Sequence, residues 1–316
     1  MAGGKEQETI NKLIASVEGV IRGKSEVVRL AVVALIGRGH LLLDDIPGVG
    51  KTTLAQALAR SIGAPFRRIQ FTSDLLPADI IGVNVFNQQN GEFEFRPGPL
   101  FSGVVLADEI NRTSPKTQSA LLEAMNEAQV TVDNSTYALP KPFMVLATQN
   151  PLEFHGTFPL PENQLDRFML SLSVGYPSRT DELSILKTMN YAVTADGVRP
   201  VISAAEIIAL QDAADRVRID ESLLGYILDV VQASRGSDRL ILGASPRGGL
   251  ALKQAAKAYA LTEGRDYVLP DDIKRLAVSV LAHRVVPASG MGEPVRRLRH
   301  ARTVIEDLLQ IVRVPV

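Results

Sequence analysis

One stretch constrains this chain more than any other: His40-Leu41-Leu42-Leu43-Asp44-Asp45-Ile46-Pro47-Gly48-Val49-Gly50-Lys51-Thr52-Thr53. An apolar run reads as a buried strand, a Gly/Pro turn interrupts it, and Leu54-Ala55-Gln56-Ala57-Leu58-Ala59 continues as a helix. Strand, glycine turn and helix with Gly-Lys-Thr at the junction is the layout of a phosphate-binding loop. Glycines let the backbone approach the phosphates, and amides at the helix N-terminus point at them. Gly48, Val49, Gly50 and Thr53 are the backbone candidates here. Lys51 can reach the outer phosphates, and the Thr52 hydroxyl can ligate Mg²⁺. The first position of G-x-x-x-x-G-K-[ST] is Asp45 rather than glycine, so an ordinary strand-to-helix turn containing a lysine competes with this reading.

The 316 residues suffice for one large domain or two smaller ones. Apolar residues make up 46% and charged residues 22%, an ordinary globular balance. A net charge of −1 argues against a global polyanion binder, so nucleic acid is not the expected partner. The absence of cysteine excludes disulfides, thiol catalysis and cysteine-ligated zinc. Met1-Ala2-Gly3-Gly4-Lys5-Glu6-Gln7-Glu8 is unlike a signal peptide, and no apolar run approaches membrane-spanning length. A cytoplasmic protein is the simplest expectation.

Ile10, Leu13, Ile14 and Val17 recur at helical spacing, and a second helix is expected from Ser25 to about Ile36. The turn between them, Val20-Ile21-Arg22-Gly23-Lys24, lies close enough to the phosphate loop for Ile21 to rest against an adenine. A plain helix-helix connection explains it equally well. Past the loop helix, which Gly63 ends, Phe66–Phe71 has β character. Val83 and Val85 alternate, as do Phe93 and Phe95, around Asn87-Gln88-Gln89-Asn90-Gly91; Val130–Val132 and Thr136–Leu139 flank Asp133-Asn134-Ser135. Both read as hairpins. Gly103–Ala107, Phe143–Ala147 and Phe168–Val174 complete a set of apolar strands alternating with helices, the pattern of a parallel sheet covered on both faces. From Ser178 onward helical periodicity takes over. The expected architecture is therefore an α/β nucleotide-binding domain over residues 1–177, followed by a smaller helical lid over 178–316.

Asp108 and Glu109 end a buried strand on the ligand side of such a sheet. There Asp108 would hold the Mg²⁺ shell and Glu109 would polarise an attacking water. Asn150 closes the next buried strand, where an amide can donate to a γ-phosphate and accept from water; an Asn-Pro turn is the local alternative. Arg167, in Leu165-Asp166-Arg167-Phe168, reads either as a solvated ion-pair partner or as an arginine finger. Arg247, in Gly243-Ala244-Ser245-Pro246-Arg247, opens a lid helix from which it could touch the same phosphates. Gln70 and Thr72 stand near the second strand's end and could link Glu109 to the ligand state.

Taken together these residues resemble the AAA+ ATPases, and more narrowly the MoxR family. The carriers are the stretch from Asp44 to Thr52, Ala107-Asp108-Glu109-Ile110-Asn111-Arg112, Ala147-Thr148-Gln149-Asn150-Pro151, Gly156 to Phe168, and Gly243 to Arg247. An acidic residue in place of the first loop glycine is similar to that family's own usage. The resemblance implies a P-loop core with a five-stranded parallel sheet, ATP and Mg²⁺ as ligands, and specific roles. Gly50, Lys51 and Thr52 match Walker A, Asp108 and Glu109 Walker B, Asn150 sensor 1, Arg167 the arginine finger and Arg247 sensor 2. It also implies that the two hairpins are inserts facing a ring's pore, and that the partner is a von Willebrand A domain protein. The metal-site motif of such a domain, Asp-x-Ser-x-Ser, is missing here, which puts that domain on a separate chain.

A ring is also expected on symmetry grounds. A finger arginine at the subunit's rim is too far from its own phosphates, and head-to-tail contacts that close give rings. The expectation is a homo-oligomer, a hexamer by resemblance, with Arg167 acting in trans. Two other classes compete with a remodelling ATPase: a nucleotide-gated scaffold with little turnover, and a DNA-acting AAA+ motor. Glu109 argues against the first, and the absence of a helix-turn-helix module or basic face against the second.

Overall fold

The computed structural model describes residues 3–46, 48–149, 157–188, 195–289 and 294–315. Two helices, α1 (Gly3–Glu18) and α2 (Ser25–Ile36), come before β1 (Leu41–Asp44) and α3 (Lys51–Ser61). Next are β2 (Phe66–Gln70), α4 (Pro77–Ile81), a hairpin of β3 (Gly82–Asn87) and β4 (Glu92–Pro97), then β5 (Val104–Asp108) and α5 (Pro115–Glu127). A second hairpin, β6 (Gln129–Val132) and β7 (Ser135–Ala138), leads to β8 (Met144–Gln149), α6 (Glu162–Leu165), β9 (Leu170–Leu172) and α7 (Arg179–Thr188). The remainder comprises α8 (Ala204–Arg216), α9 (Glu221–Gly236), β10 (Leu240–Leu242), α10 (Pro246–Thr262), α11 (Pro270–Leu281), β11 (Val286–Pro287) and α12 (Pro294–Ile311).

The central sheet has the order β2-β5-β8-β1-β9, and every pairing in it is parallel. Period-two alternation decides what each strand buries. Leu41, Leu43, Val104, Leu106, Met144 and Leu146 face the core that includes α1, α2 and α3. Leu42, Val105, Ala107, Val145 and Ala147 face the core under α5. Burial on both faces is why these strands read as unbroken apolar runs. Local chemistry closes the elements as expected: Ser114 caps α5 ahead of Pro115, and Gly63 leaves α3 at a φ of 62°. The helical region after residue 178 carries one addition, the antiparallel β10–β11 ribbon. Its strands are too short to show a periodicity.

Arg284 fixes the helical region to the sheet. It is 4% exposed, donates to Asp166 Oδ1 (2.9 Å) and to the Met169 carbonyl (3.1 Å), and also bonds the carbonyls of Phe168 and Val280. Burial lowers its pKa to about 10, with the Asp166 carboxylate opposing. Asp166 also accepts from Ser245 Oγ (2.8 Å), the N-cap of α10. The approach to β9 and the start of α10 are thus held by one carboxylate.

His40, just before β1, ties the sheet to α5. Its Nε2–H donates to the Met125 carbonyl (2.9 Å), and Nδ1 accepts from the Val145 amide (3.0 Å). That pair of bonds requires the neutral ring, and burial pushes its pKa down to about 4. The unfolded state therefore takes up the proton first, so this stabilisation is complete above about pH 6.5 and is lost as pH falls towards 4. Burial and the adjacent Arg284 act on His283 in the same direction. The unfolding midpoint is expected to fall across that window, and His40→Gln to flatten the decline by on the order of 2 kcal/mol. Urea titrations at stepped pH read it; parallel profiles for the two proteins would refute the assignment.

Candidate active site

All five parallel strands end on one side of the sheet, so the loop after β1 and the acids after β5 converge there. They line a cavity of about 340 Å³ made by Gly48, Gly50, Lys51, Thr52, Thr53, Arg68, Asp108, Glu109 and Thr148. Gly48 and Gly50 have φ values of 86° and 97°, the left-handed region that the turn into α3 needs. A Cβ at Gly50 would lie 3.9 Å from the Ile21 side chain, so Ile21 sits against the loop. Lys51 Nζ donates to the carbonyls of Asp45 (2.7 Å) and Ile46 (3.1 Å). Burial holds its pKa below the usual lysine range, opposed by Asp45, Asp108, Glu109 and Asp44.

Asp45 explains the missing glycine. Its carboxylate is buried and accepts the amides of Val174 and, at 3.0 Å, Gly175, strapping the loop to the segment after β9. Asp45→Gly, which restores the general loop pattern, is expected to cost about 1–3 kcal/mol because it leaves those amides without their acceptor. Chemical unfolding measures this, and an unchanged midpoint would show the strap to be idle.

The acids are held by residues from both neighbouring strands. β8 lies between β1 and β5, which places Thr148 beside the pair. Thr148 Oγ1 donates to Asp108 Oδ1 (2.6 Å) and accepts the Glu109 amide (2.8 Å). Glu109 adopts φ 58°, ψ 49°, a left-handed conformation uncommon for a side chain of this size and of the kind that clusters at functional sites. Its Oε2 accepts from Gln70 Nε2 (2.7 Å) and Arg112 Nη1 (3.0 Å). Arg68 donates to Asp108 Oδ2 from both Nη2 (2.6 Å) and Nε (3.0 Å). Sequence reasoning missed Thr148 and Arg68, although Thr148 lies two positions before Asn150 on a strand already marked as converging. Arg68 carries no local signal, since an arginine on an edge strand is usually only solvated. Asn150 and Pro47 lie outside the described residues.

The two arginines lie elsewhere. Arg167 precedes β9, whose Leu170 is in register with Leu41 at the start of β1, so Arg167 stands beyond the N-terminal ends of the strands, the opposite end from the phosphate loop. Its Nη1 donates to the Leu122 carbonyl (2.7 Å), near the C-terminal end of α5. Arg247 Nη2 reaches Asn126 Oδ1 (3.2 Å) on the same helix end. The two cations are close enough that, after burial, Arg247 is the next largest influence lowering the pKa of Arg167, with Glu123 and Glu127 opposing. Arg247 is thus not among the residues that line the cavity. The Asp166–Ser245 bond draws the start of α10 to the Arg167 side of the sheet, away from the cavity.

A glycine loop with Lys-Thr on a parallel sheet, an acid pair two strands away, and a helical region behind them define a P-loop ATPase of the AAA+ class. Residues 40–170 match the ATPase family associated with various cellular activities (AAA), and residues 232–308 match the AAA lid domain. YeaC of Bacillus subtilis (strain 168) is 49% identical, covering 97% of this chain and 95% of that protein. Chaperone MoxR1 of Mycobacterium tuberculosis (strain ATCC 25618 / H37Rv) is 41% identical over 89% of this chain and 76% of its own. The crystal structure of a putative ATPase from Cytophaga hutchinsonii ATCC 33406 superposes with a TM-score of 0.88 at 38% identity, covering 99% and 97% of the two chains. The chain belongs to the MoxR family of AAA+ ATPases.

Proposed function

We propose that the chain hydrolyses ATP at the interfaces of a closed homo-oligomeric ring and spends the cycle on remodelling protein partners. The observation that carries this reading is the separation of parts: loop and acids at the C-terminal ends of the strands, and the arginines at the opposite end. An arginine pair so placed can complete only a neighbour's site, and repeated head-to-tail contacts of that kind close into rings.

Within the site, Gly48, Val49, Gly50 and Thr53 offer backbone to the phosphates, with Ile21 buttressing the loop. Lys51 leaves its own loop carbonyls for the outer phosphates. Glu109 orients and polarises the attacking water, Asn150 assists at the γ-phosphate, and the neighbour's Arg167 and Arg247 neutralise charge as the bond to the leaving phosphate breaks. Thr52 and Asp108 line one cavity and offer hard oxygen donors, a set that fits Mg²⁺. Among the described residues no cluster of three acidic, histidine or cysteine side chains makes a self-sufficient cage, consistent with a metal that arrives with the nucleotide. When bound, the metal would neutralise charge on the phosphate oxygens.

The name of the mycobacterial relative, Chaperone MoxR1, supports a protein-remodelling role, and von Willebrand A domain proteins on a separate chain are the partner class proposed. The β3–β4 hairpin supplies a contact surface, because Phe86 and Phe93 are 51% and 71% exposed. No helix among the described residues is long and apolar enough to cross a membrane, and we place the protein in the cytoplasm. We set the boundary between the nucleotide-binding domain and the lid at residues 177 and 178. Sedimentation with a slowly hydrolysed ATP analogue is expected to show a ring, a hexamer by family resemblance; a strict monomer at micromolar protein would overturn the reading.

A further inference from the structure

We propose that Arg68 is a cationic latch on Asp108: it holds Oδ2 of the metal-shell carboxylate and must let go before that oxygen can serve. The inference rests on the reading of Asp108 as a metal-shell residue. Asp108 Oδ2 accepts two N–H bonds from one guanidinium, at 2.6 and 3.0 Å, and this uses both of its lone pairs. Oδ1 already accepts from Thr148 at 2.6 Å. A second cation can engage Oδ2 only by displacing Arg68.

Which partner moves follows from how each is held. The Asp108 side chain is 13% exposed and fastened by Thr148 from the central sheet, whereas Arg68 is 50% exposed on edge strand β2. The arginine is therefore the mobile member. Its departure also reaches Glu109. Arg68 Nη2 donates to Gln70 Oε1 (2.9 Å), which fixes the Gln70 amide so that Nε2 faces Glu109 Oε2 (2.7 Å). Once Arg68 leaves, the amide loses the bond that fixes its orientation, and its hold on Glu109 weakens. The order of events is then built into the site. The water-polarising carboxylate stays restrained until Asp108 has exchanged the guanidinium for another cation. Arg68 acts through Asp108 and Gln70, and is a positioning residue.

The test is Mn²⁺ binding to the full chain in the presence of a slowly hydrolysed ATP analogue, followed by electron paramagnetic resonance. With no guanidinium to displace, Arg68→Ala is expected to bind Mn²⁺ roughly three- to tenfold more tightly than the wild type. Arg68→Lys keeps the charge but cannot bridge Asp108 and Gln70, and should fall between the two. Asp108→Asn should bind Mn²⁺ more weakly. If Asp108→Asn weakens Mn²⁺ binding while Arg68→Ala leaves it unchanged or weaker, the latch is overturned and the metal-shell reading survives. If Asp108→Asn binds Mn²⁺ like the wild type, the metal-shell reading falls and the latch with it. A merely structural role for Arg68 would loosen the metal, the opposite sign to the one expected.

Discussion

Glu109→Gln is expected to lower steady-state ATP turnover by about 10²–10⁴-fold while leaving nucleotide affinity within about threefold of wild type. The substitution keeps the side chain's size and can preserve the bond from Arg112. What it removes is the carboxylate's capacity to polarise a water and accept its proton. A loss of that size corresponds to roughly 3–5 kcal/mol of barrier, in the range that a positioned general base supplies. Binding should survive because Lys51, Thr52 and the glycine loop are untouched, and they stand on α3 and its approach rather than on β5. Phosphate release and fluorescent-nucleotide binding, measured side by side, decide the matter. Turnover within about threefold of wild type would remove Glu109 from the mechanism and favour a nucleotide-gated scaffold. The same variant with ATP should retain its protein partner, which makes it the reagent for a pull-down.

Much of this site is legible in the sequence because its chemistry sits at strand ends. Leu41–Leu43, Val104–Ala107 and Met144–Ala147 are buried on both faces, so each reads as a strand, and the polar residues that end them stand out. Lys51, Thr52, Asp108 and Glu109 were therefore readable, and the structure brings all four to one cavity. Asp45 was readable only as a departure from a pattern; its reason lies in the backbone amides of residues 174 and 175, far along the chain. Arg68 and Thr148 escape for a related cause. Both act across strands, and register between parallel strands depends on crossovers that local periodicity does not encode.

The position of Arg247 depends on how a helical region seats on a sheet, which local periodicity does not encode. The sequence places it at the first turn of a helix and leaves open which end of the strands that turn approaches. Two polar residues settle this: Asp166, which accepts from Ser245, and Arg284, whose buried guanidinium binds that carboxylate and the carbonyls near β9. Neither carries a functional motif of its own, yet together they hold the start of α10 on the Arg167 side of the sheet.

That geometry makes the largest expected effect one that only mixtures reveal. Arg167→Ala alone should lower turnover by roughly 10³–10⁵-fold, as loss of an arginine finger does. An equimolar mixture of Arg167→Ala and Glu109→Gln should regain activity, because a pocket with Glu109 can face a neighbour that retains Arg167. With random assembly about a quarter of the interfaces combine both, so recovery to about a quarter of wild-type turnover is expected. Arg247 is then assigned by two further mixtures. If it also acts across the interface, Arg247→Ala should be rescued by Glu109→Gln but not by Arg167→Ala, because no neighbour in the latter mixture carries both arginines. If Arg247 served its own pocket, Arg167→Ala mixed with Arg247→Ala would recover to the same quarter. Phosphate release from the three mixtures, at protein concentrations where the ring is assembled, separates the cases. Absence of rescue in the first would place Arg167 outside the neighbour's site.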